Sequence, residues 1–384
     1  MKIVDLKVFV LGTSWRNLVF VKLITDEGIT GVGEATIQNR EEGVAAYLEG
    51  SKHRHVIGTD PFDIEDLWVR MYRNDFFRGG VIACSAMSAV EMACWDIVGK
   101  VVGQPVYKLL GGRCHEKIKA YANGWYTVER DPKAFAERVK VVLGKGYKAL
   151  KVDPFGGGGY EMDRAEKIKS IALVEALREA VGPDVEIFIE GHGRFSAATA
   201  IEFARELEQF KPGWFEEPVP PEDIPSLLRV TQRSNIPIAT GERFYTRHGY
   251  RELFELRAAD IIQPDVSHAG GILEMKKIAA AADMHYMTVA PHNSNGPVCT
   301  AASVHFGFCN PNTKVQECFD DFADPWVLEA VVGYPKVVDG YFYPPTKPGL
   351  GVELNEKVIA AHPYKKGFFN LWATDWHKRQ FAGD

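Results

Sequence analysis

Hydrophobic and polar positions follow two regimes along the chain. In the first 35 residues they alternate: MKIVDLKVFV and NLVFVKLI read as strands, and Asp26-Glu27-Gly28 reads as the turn to a further strand, GITGVGEA. From about residue 40 to 110 the period becomes helical, with few breakers in SAMSAVEMACWDIVGKVVG, until Gly103 and the LLGG at 109–112 stop it. The first third therefore predicts an α+β unit.

After Gly112 short apolar runs alternate with amphipathic helical stretches. The runs are IKAYANGWY, YKALKVDPF, VEIFIEGH, GWFEEPV, PIATGER, DIIQPDVS, MTVAPHN and KVQECF, with stretches such as DPKAFAERVKVVLGKG and AATAIEFARELEQF between them. This order predicts βα units and a parallel sheet. Eight such runs is the number that closes a (β/α)8 barrel. The expected fold class is α/β, a TIM-type barrel with an N-terminal α+β capping domain. The expected divisions are residues 1–115 for the cap, 116–330 for the barrel, and 331–384 for a segment that packs back on the cap.

Composition narrows the function. The chain has 384 residues, 46% hydrophobic and 25% charged, with a net charge of −6 and no basic patch, so nucleic acid is not an expected partner. The apolar stretches look too short for a bilayer, and the N-terminus has a strand pattern rather than a signal-peptide core. Six cysteines without a CxxC pair (Cys84, Cys94, Cys114, Cys299, Cys309, Cys318) suggest reduced thiols and a cytoplasmic location.

The chemistry lies where the runs end. In a parallel barrel every strand C-terminus reaches one rim, and there the runs deliver Lys151 and Asp153, Glu190 and His192, Glu216 and Glu217, Glu242, Asp265, His292 and Glu317. Glu190, Glu216 and Glu242 stand 26 residues apart, about one βα unit, so they should end successive strands and converge. For one such glutamate, capping the next helix is the plainer explanation. Three at a matching interval favour a metal site instead, and an all-oxygen set favours Mg2+. Asp265 and His292 should be neighbours, the carboxylate fixing the imidazole as a general base. DPFGGGGY (Gly156–Gly159) lacks the Lys-Ser/Thr of a phosphate loop and reads as a mobile rim loop.

Taken together, Glu190, Glu216 in FEEP, Glu242 in GER, Asp265 in QPD, His292 and Glu317 resemble the enolase superfamily, mandelate racemase-like branch. The likeness extends to SAVEMACWDIVGK, LLGG and KPGLGVE. It implies that Glu190, Glu216 and Glu242 bind Mg2+. It also implies that His292, oriented by Asp265, takes the proton alpha to a carboxylate, and that Glu317 hydrogen-bonds the resulting enolic carboxylate. Many relatives carry Lys-x-Lys at the end of the second barrel strand. Here the stretch is Lys151-Val152-Asp153, so a second lysine base is missing and Lys151 is left to neutralise the site.

EGHGRF is similar to acid-sugar dehydratases, in which the histidine protonates the departing 3-hydroxyl, a role that falls to His192. YANGWY, KVDPFG and FEEPVPPED look most like gluconate dehydratases, whereas FFRGG and QPDVSHAGG look more like galactonate dehydratases. The implied reaction is loss of water from an aldonate to give a 2-keto-3-deoxy acid. An epimerase using His192 and His292 as two bases, and a non-catalytic sugar-acid-binding metal barrel, stay open as alternatives. Trp15, Arg16, Asn17, Arg78, Trp125, Tyr126 and Asp153 are candidate substrate contacts. The resemblance also implies a homo-oligomer, octamers being common among such relatives.

Overall fold

The computed structural model describes residues 1–380. Three antiparallel strands, β1 (Ile3–Gly12), β2 (Asn17–Thr25) and β3 (Thr30–Glu34), form the cap sheet. The helix Val81–Val102 packs against it. Strand and helix meet closely at Gly33, where a Cβ would sit 1.9 Å from the Ala89 carbonyl oxygen, so only glycine fits there. This 22-residue helix has the length and apolarity of a membrane span, contrary to the expectation that no stretch did. Its buried positions include Glu91 and Asp96, and it serves as the core helix of the cap.

Eight parallel strands follow: β4 (Ile118–Ala122), β5 (Ala149–Val152), β6 (Glu186–Glu190), β7 (Trp214–Glu216), β8 (Ile238–Thr240), β9 (Ile261–Ile262), β10 (Thr288–Val289) and β11 (Gln316–Cys318). They pair in sequence from β4 to β10, β11 pairs back with β4, and a parallel bridge between Val289 and Thr313 closes the ring. Tyr121, Ala149, Phe188, Trp214, Ala239, Ile261, Ala290 and Val315, one side chain from each strand or its flank, fill the interior as a single buried cluster. Phe188 and Trp214 stack in it with centroids 3.5 Å apart.

Side-chain caps explain several helix starts. Asp131, Asp163, Ser196 and Asp223 accept from the backbone N–H groups of Ala134, Glu166, Thr199 and Ser226. Strand β11 is followed by a 3-10 turn, Asp320–Phe322, and a six-residue helix, Pro325–Ala330, and the chain then pairs Tyr341–Phe342 antiparallel with β4.

The cap is keyed to the barrel by two carboxylates. Glu34 accepts from the N–H groups of Gly296 and Cys299 at the start of the barrel helix Pro297–Phe308. Glu91 accepts from Ile272 and Leu273 at the start of the helix Ile272–Asp283, 2.8 Å in each case. Each places negative charge on unpaired N–H donors at the positive end of a helix. The C-terminal segment returns along the cap, where Lys365 exchanges two hydrogen bonds with Asn17 and Phe369 two with Asn39.

Candidate active site

The barrel rim gathers the predicted side chains. Glu190 and Glu216 are the last residues of β6 and β7 and pair in register, and Glu242 lies two residues beyond β8. One carboxylate oxygen of each lies within 4.8 Å of the others. Lys151, at the end of β5, points into the same space, with Nζ 2.7 Å from Glu216, 3.1 Å from Glu190 and 3.1 Å from Glu317. Burial disfavours its charge, but Glu216 and Glu317 outweigh that and hold its pKa well above the ordinary lysine value. Burial and the Glu216 charge together push the Glu190 carboxyl well above the usual range. Its Oε2 is the oxygen that the Lys151 ammonium approaches.

Five carboxylates, Glu190, Glu216, Glu242, Asp265 and Glu317, thus face Lys151, His292 and, 3.7 Å from Asp265, His268, beside the Glu217–Arg243 pair. The surplus of buried carboxylates and the oxygen-only donor set fit a hard divalent cation. Trp214 donates its indole N–H to Glu216 at 2.9 Å and fixes that carboxylate from behind.

On the other side of the site His292 Nδ1 lies 2.7 Å from Asp265 Oδ2. Asp265 also accepts from the Ser267 N–H at 2.7 Å and from Asn295 at 2.9 Å. His292 Nε2 then faces the cavity, 2.9 Å from Glu242 and 3.9 Å from Glu317. Burial disfavours the imidazolium, but the Glu242 and Glu317 charges prevail and raise its pKa well above the ordinary value.

With this geometry fixed, comparison with known proteins gives one answer. Residues 134–358 match the family described as enolase C-terminal domain-like, and residues 6–111 match the mandelate racemase/muconate lactonizing enzyme N-terminal domain. The chain belongs to the enolase superfamily. It is similar to the D-galactonate dehydratase of Pectobacterium atrosepticum, 37% identical over 94% of both chains. It is also similar to a D-mannonate dehydratase of Caulobacter vibrioides, 36% identical over 96% of both. A solved mandelate racemase/muconate lactonizing enzyme from Labrenzia alexandrii superposes with a TM-score of 0.91 at 36% identity, covering 95% of this chain and 98% of that one.

Within this superfamily frame the remaining candidates sort by place. A cavity of about 240 Å³ opens between cap and barrel, lined by Lys151, Glu190, His192, Glu242 and His292 and, from the cap, by Trp15 and Arg16. His192 adopts a left-handed backbone (φ 50°) just past β6, which turns its side chain back over the strand end. Its N–H donates to Glu190, and its Nδ1 lies 3.0 Å from the buried Asp153. Burial, partly offset by Asp153, draws its pKa below the usual value. Because β6 and β10 lie four positions apart in an eight-strand ring, His192 and His292 stand on opposite sides of the mouth.

The other candidates do not line the cavity. Asn17 is turned away from the cavity and holds Lys365. Arg78 is exposed on the loop before the cap helix and does not line the cavity. Trp125 and Tyr126 are fully buried beneath the rim, Trp125 donating to the Lys151 carbonyl oxygen. Asp153 contacts His192 rather than the cavity. Glu317 is fully buried behind Lys151, accepting from Asn123 and from the Asn293 N–H. In the loop Gly156–Gly159, the Gly156 carbonyl oxygen accepts from both Arg194 and Arg379, while Gly157 and Gly159 are exposed.

Asn123, Asn293 and Asn295 were overlooked because only charged strand ends were weighed, although Asn123 and Asn293 also close apolar runs. Nothing in the local pattern marks Arg379 or Trp376, which reach the site from the C-terminal segment.

Proposed function

We propose that this chain is a Mg2+-dependent dehydratase of a sugar acid, acting on an aldonate such as D-gluconate or D-galactonate. The observation that carries this reading is the placement of two imidazoles on opposite sides of one cavity, each held by a buried carboxylate, beside three converging glutamates. The dehydratase names of the relatives support it.

Glu190, Glu216 and Glu242 would hold the cation, which when bound supplies a Lewis acid for the substrate carboxylate. His292 Nε2 takes the proton from C2, with Nδ1 fixed by Asp265 so that the free nitrogen faces the substrate. Lys151 presents a permanently charged ammonium toward the carboxylate as it gains negative charge. Glu317 holds Lys151 in place, 3.1 Å from its ammonium. His192, protonated on both ring nitrogens with its Nδ1–H held by Asp153, gives the Nε2 proton to the 3-hydroxyl as the C3–O bond breaks, releasing water. The enol then takes a solvent proton at C3 and becomes the 2-keto-3-deoxy acid. Trp15 and Arg16 close the far end of the cavity. Arg16 is buried, donates to Ser294 at 3.3 Å, and has an unpartnered Nε free for a sugar hydroxyl.

The same pair of imidazoles suits an epimerase, with each histidine working on one face of C2. The two readings separate on product. With Mg2+ and a panel of gluconate, galactonate and mannonate, a semicarbazide assay should detect a new 2-keto acid from one or two of them. Mannonate presents its C2 proton to the opposite face from the other two, so a single base should not accept both configurations. Exchange of the C2 proton without keto acid would favour the epimerase.

A further inference from the structure

The C-terminal segment carries a buried cation that the proposed reaction does not use directly. Arg379 is fully buried, and its guanidinium donates to Asp153 Oδ2 at 2.9 Å, to the Gly156 carbonyl oxygen at 3.1 Å and to the Ala373 carbonyl oxygen at 3.1 Å. It lies over the Trp376 ring at 4.2 Å. Trp376 lines the cavity and packs against Tyr126, Trp15 and Phe369. On the barrel side Arg194 donates to the same Asp153 oxygen at 2.6 Å and to the same Gly156 oxygen at 2.6 Å. Two arginines from distant parts of the chain therefore grip one carboxylate and one carbonyl in parallel.

The third donor to that Asp153 oxygen is His192 Nδ1, at 3.0 Å. Asp153 is fully buried, so its position is set by these partners and by the Phe155 N–H on its other oxygen. We propose that Arg379 is a positioning residue. Through Asp153 it fixes the ring of His192, so the site is complete for elimination only when the segment 369–380 is docked across the mouth. This segment is also tied to the cap through Asn39 and to the barrel through the Arg130 N–H on Asp375. One strap thus joins cap closure to the orientation of a single imidazole. Withdrawing it removes one of the two guanidinium donors to Asp153 and leaves Arg194 and the Phe155 N–H to hold that carboxylate, which can then shift with the histidine. His292, fixed separately by Asp265 on the far side, keeps its geometry.

The role in turnover rests on the dehydratase reading, and the test separates the two. Arg379→Met keeps the stem that packs on Trp376 and removes the donors, and Arg379→Lys keeps a charge and one donor direction. In Arg379→Met the dehydration kcat is expected to fall about 10- to 100-fold, as for other residues that orient a working group from behind. C2-proton exchange in D2O should stay close to the wild-type rate, KM should change little, and Arg379→Lys should restore part of the loss. Exchange and elimination falling together, or neither falling, would overturn the proposal. If Arg379→Met does not fold, the same split, smaller, is read from Arg379→Lys.

A second readout needs no turnover. The Nδ1 proton of His192, assigned in the proton NMR spectrum by its disappearance in His192→Asn, should be sharp in the wild type and lost to solvent exchange in Arg379→Met. Its persistence there would refute the positioning role whatever the reaction. Its loss, in an enzyme that makes no keto acid from any aldonate, would leave the positioning role standing and remove the dehydratase reading.

Discussion

His292 and Asp265 are joined twice: their side chains meet at 2.7 Å, and their backbones form an isolated parallel bridge just beyond β9 and β10. The strand contact fixes the separation of the two backbones, and the hydrogen bond fixes the tilt of the ring. A base held in this way loses little entropy when substrate binds.

His292→Asn should abolish both C2-proton exchange and dehydration, a loss on the order of 100- to 10,000-fold. Asp265→Asn should lower both by a smaller factor, because the amide can hold the ring in the wrong tautomer. Steady-state rates with the preferred aldonate and exchange followed by NMR would check both. Wild-type turnover in His292→Asn would reassign the base.

His192→Asn should separate the two steps. Exchange at C2 continues because His292 and the glutamates are untouched, while keto acid formation stops for lack of a proton donor. A variant that dehydrates at the wild-type rate would remove His192 from the mechanism.

Cation binding should release protons. Without a cation, burial and the Glu216 charge raise the Glu190 carboxyl, and the Glu242 and Glu317 charges raise the His292 imidazole, so each keeps its proton to higher pH than it ordinarily would. A cation favours their deprotonated forms, so its affinity should rise with pH, by up to about tenfold per pH unit for each proton displaced. Calorimetric titration with Mg2+ in buffers of different ionisation enthalpy would count the protons. Affinity that falls as pH rises would contradict the electrostatics of the site.

Cap docking should depend on Glu91. It satisfies the Ile272 and Leu273 N–H groups and the Trp95 indole, and Glu91→Ala strands all three donors inside the structure. A loss of about 3 kcal/mol is expected from that many buried groups left unpaired. Urea denaturation would measure it, and a change below about 0.5 kcal/mol, the range of ordinary surface substitutions, would show that water replaces the carboxylate.

Much of this was legible in the sequence because it is local or periodic. The barrel follows from apolar runs of strand length, and the convergence of Glu190, Glu216 and Glu242 follows from their equal spacing once the runs are taken as parallel strands. The pairing of Asp265 with His292 follows from the same rule applied to neighbouring strands. What escaped is tertiary. Arg379 meets Asp153 across 226 residues, with no periodic signal to connect them. Asn17 and Arg78 sit on cap segments near the mouth, but strand pleat turns the first toward Lys365 and the second stands on an exposed loop. Segment position alone does not determine side-chain direction.

The most direct test of the account is the isotope content of the product formed in D2O. With Mg2+ and the preferred aldonate, proton NMR of early product should show one deuteron at C3, because the C2 proton leaves on His292 and C3 is filled from solvent. Product with the original C2 hydrogen and no deuteron at C3 would mean that this hydrogen is passed internally, by a hydride shift or by a base shielded from solvent, and would contradict an account in which solvent fills C3.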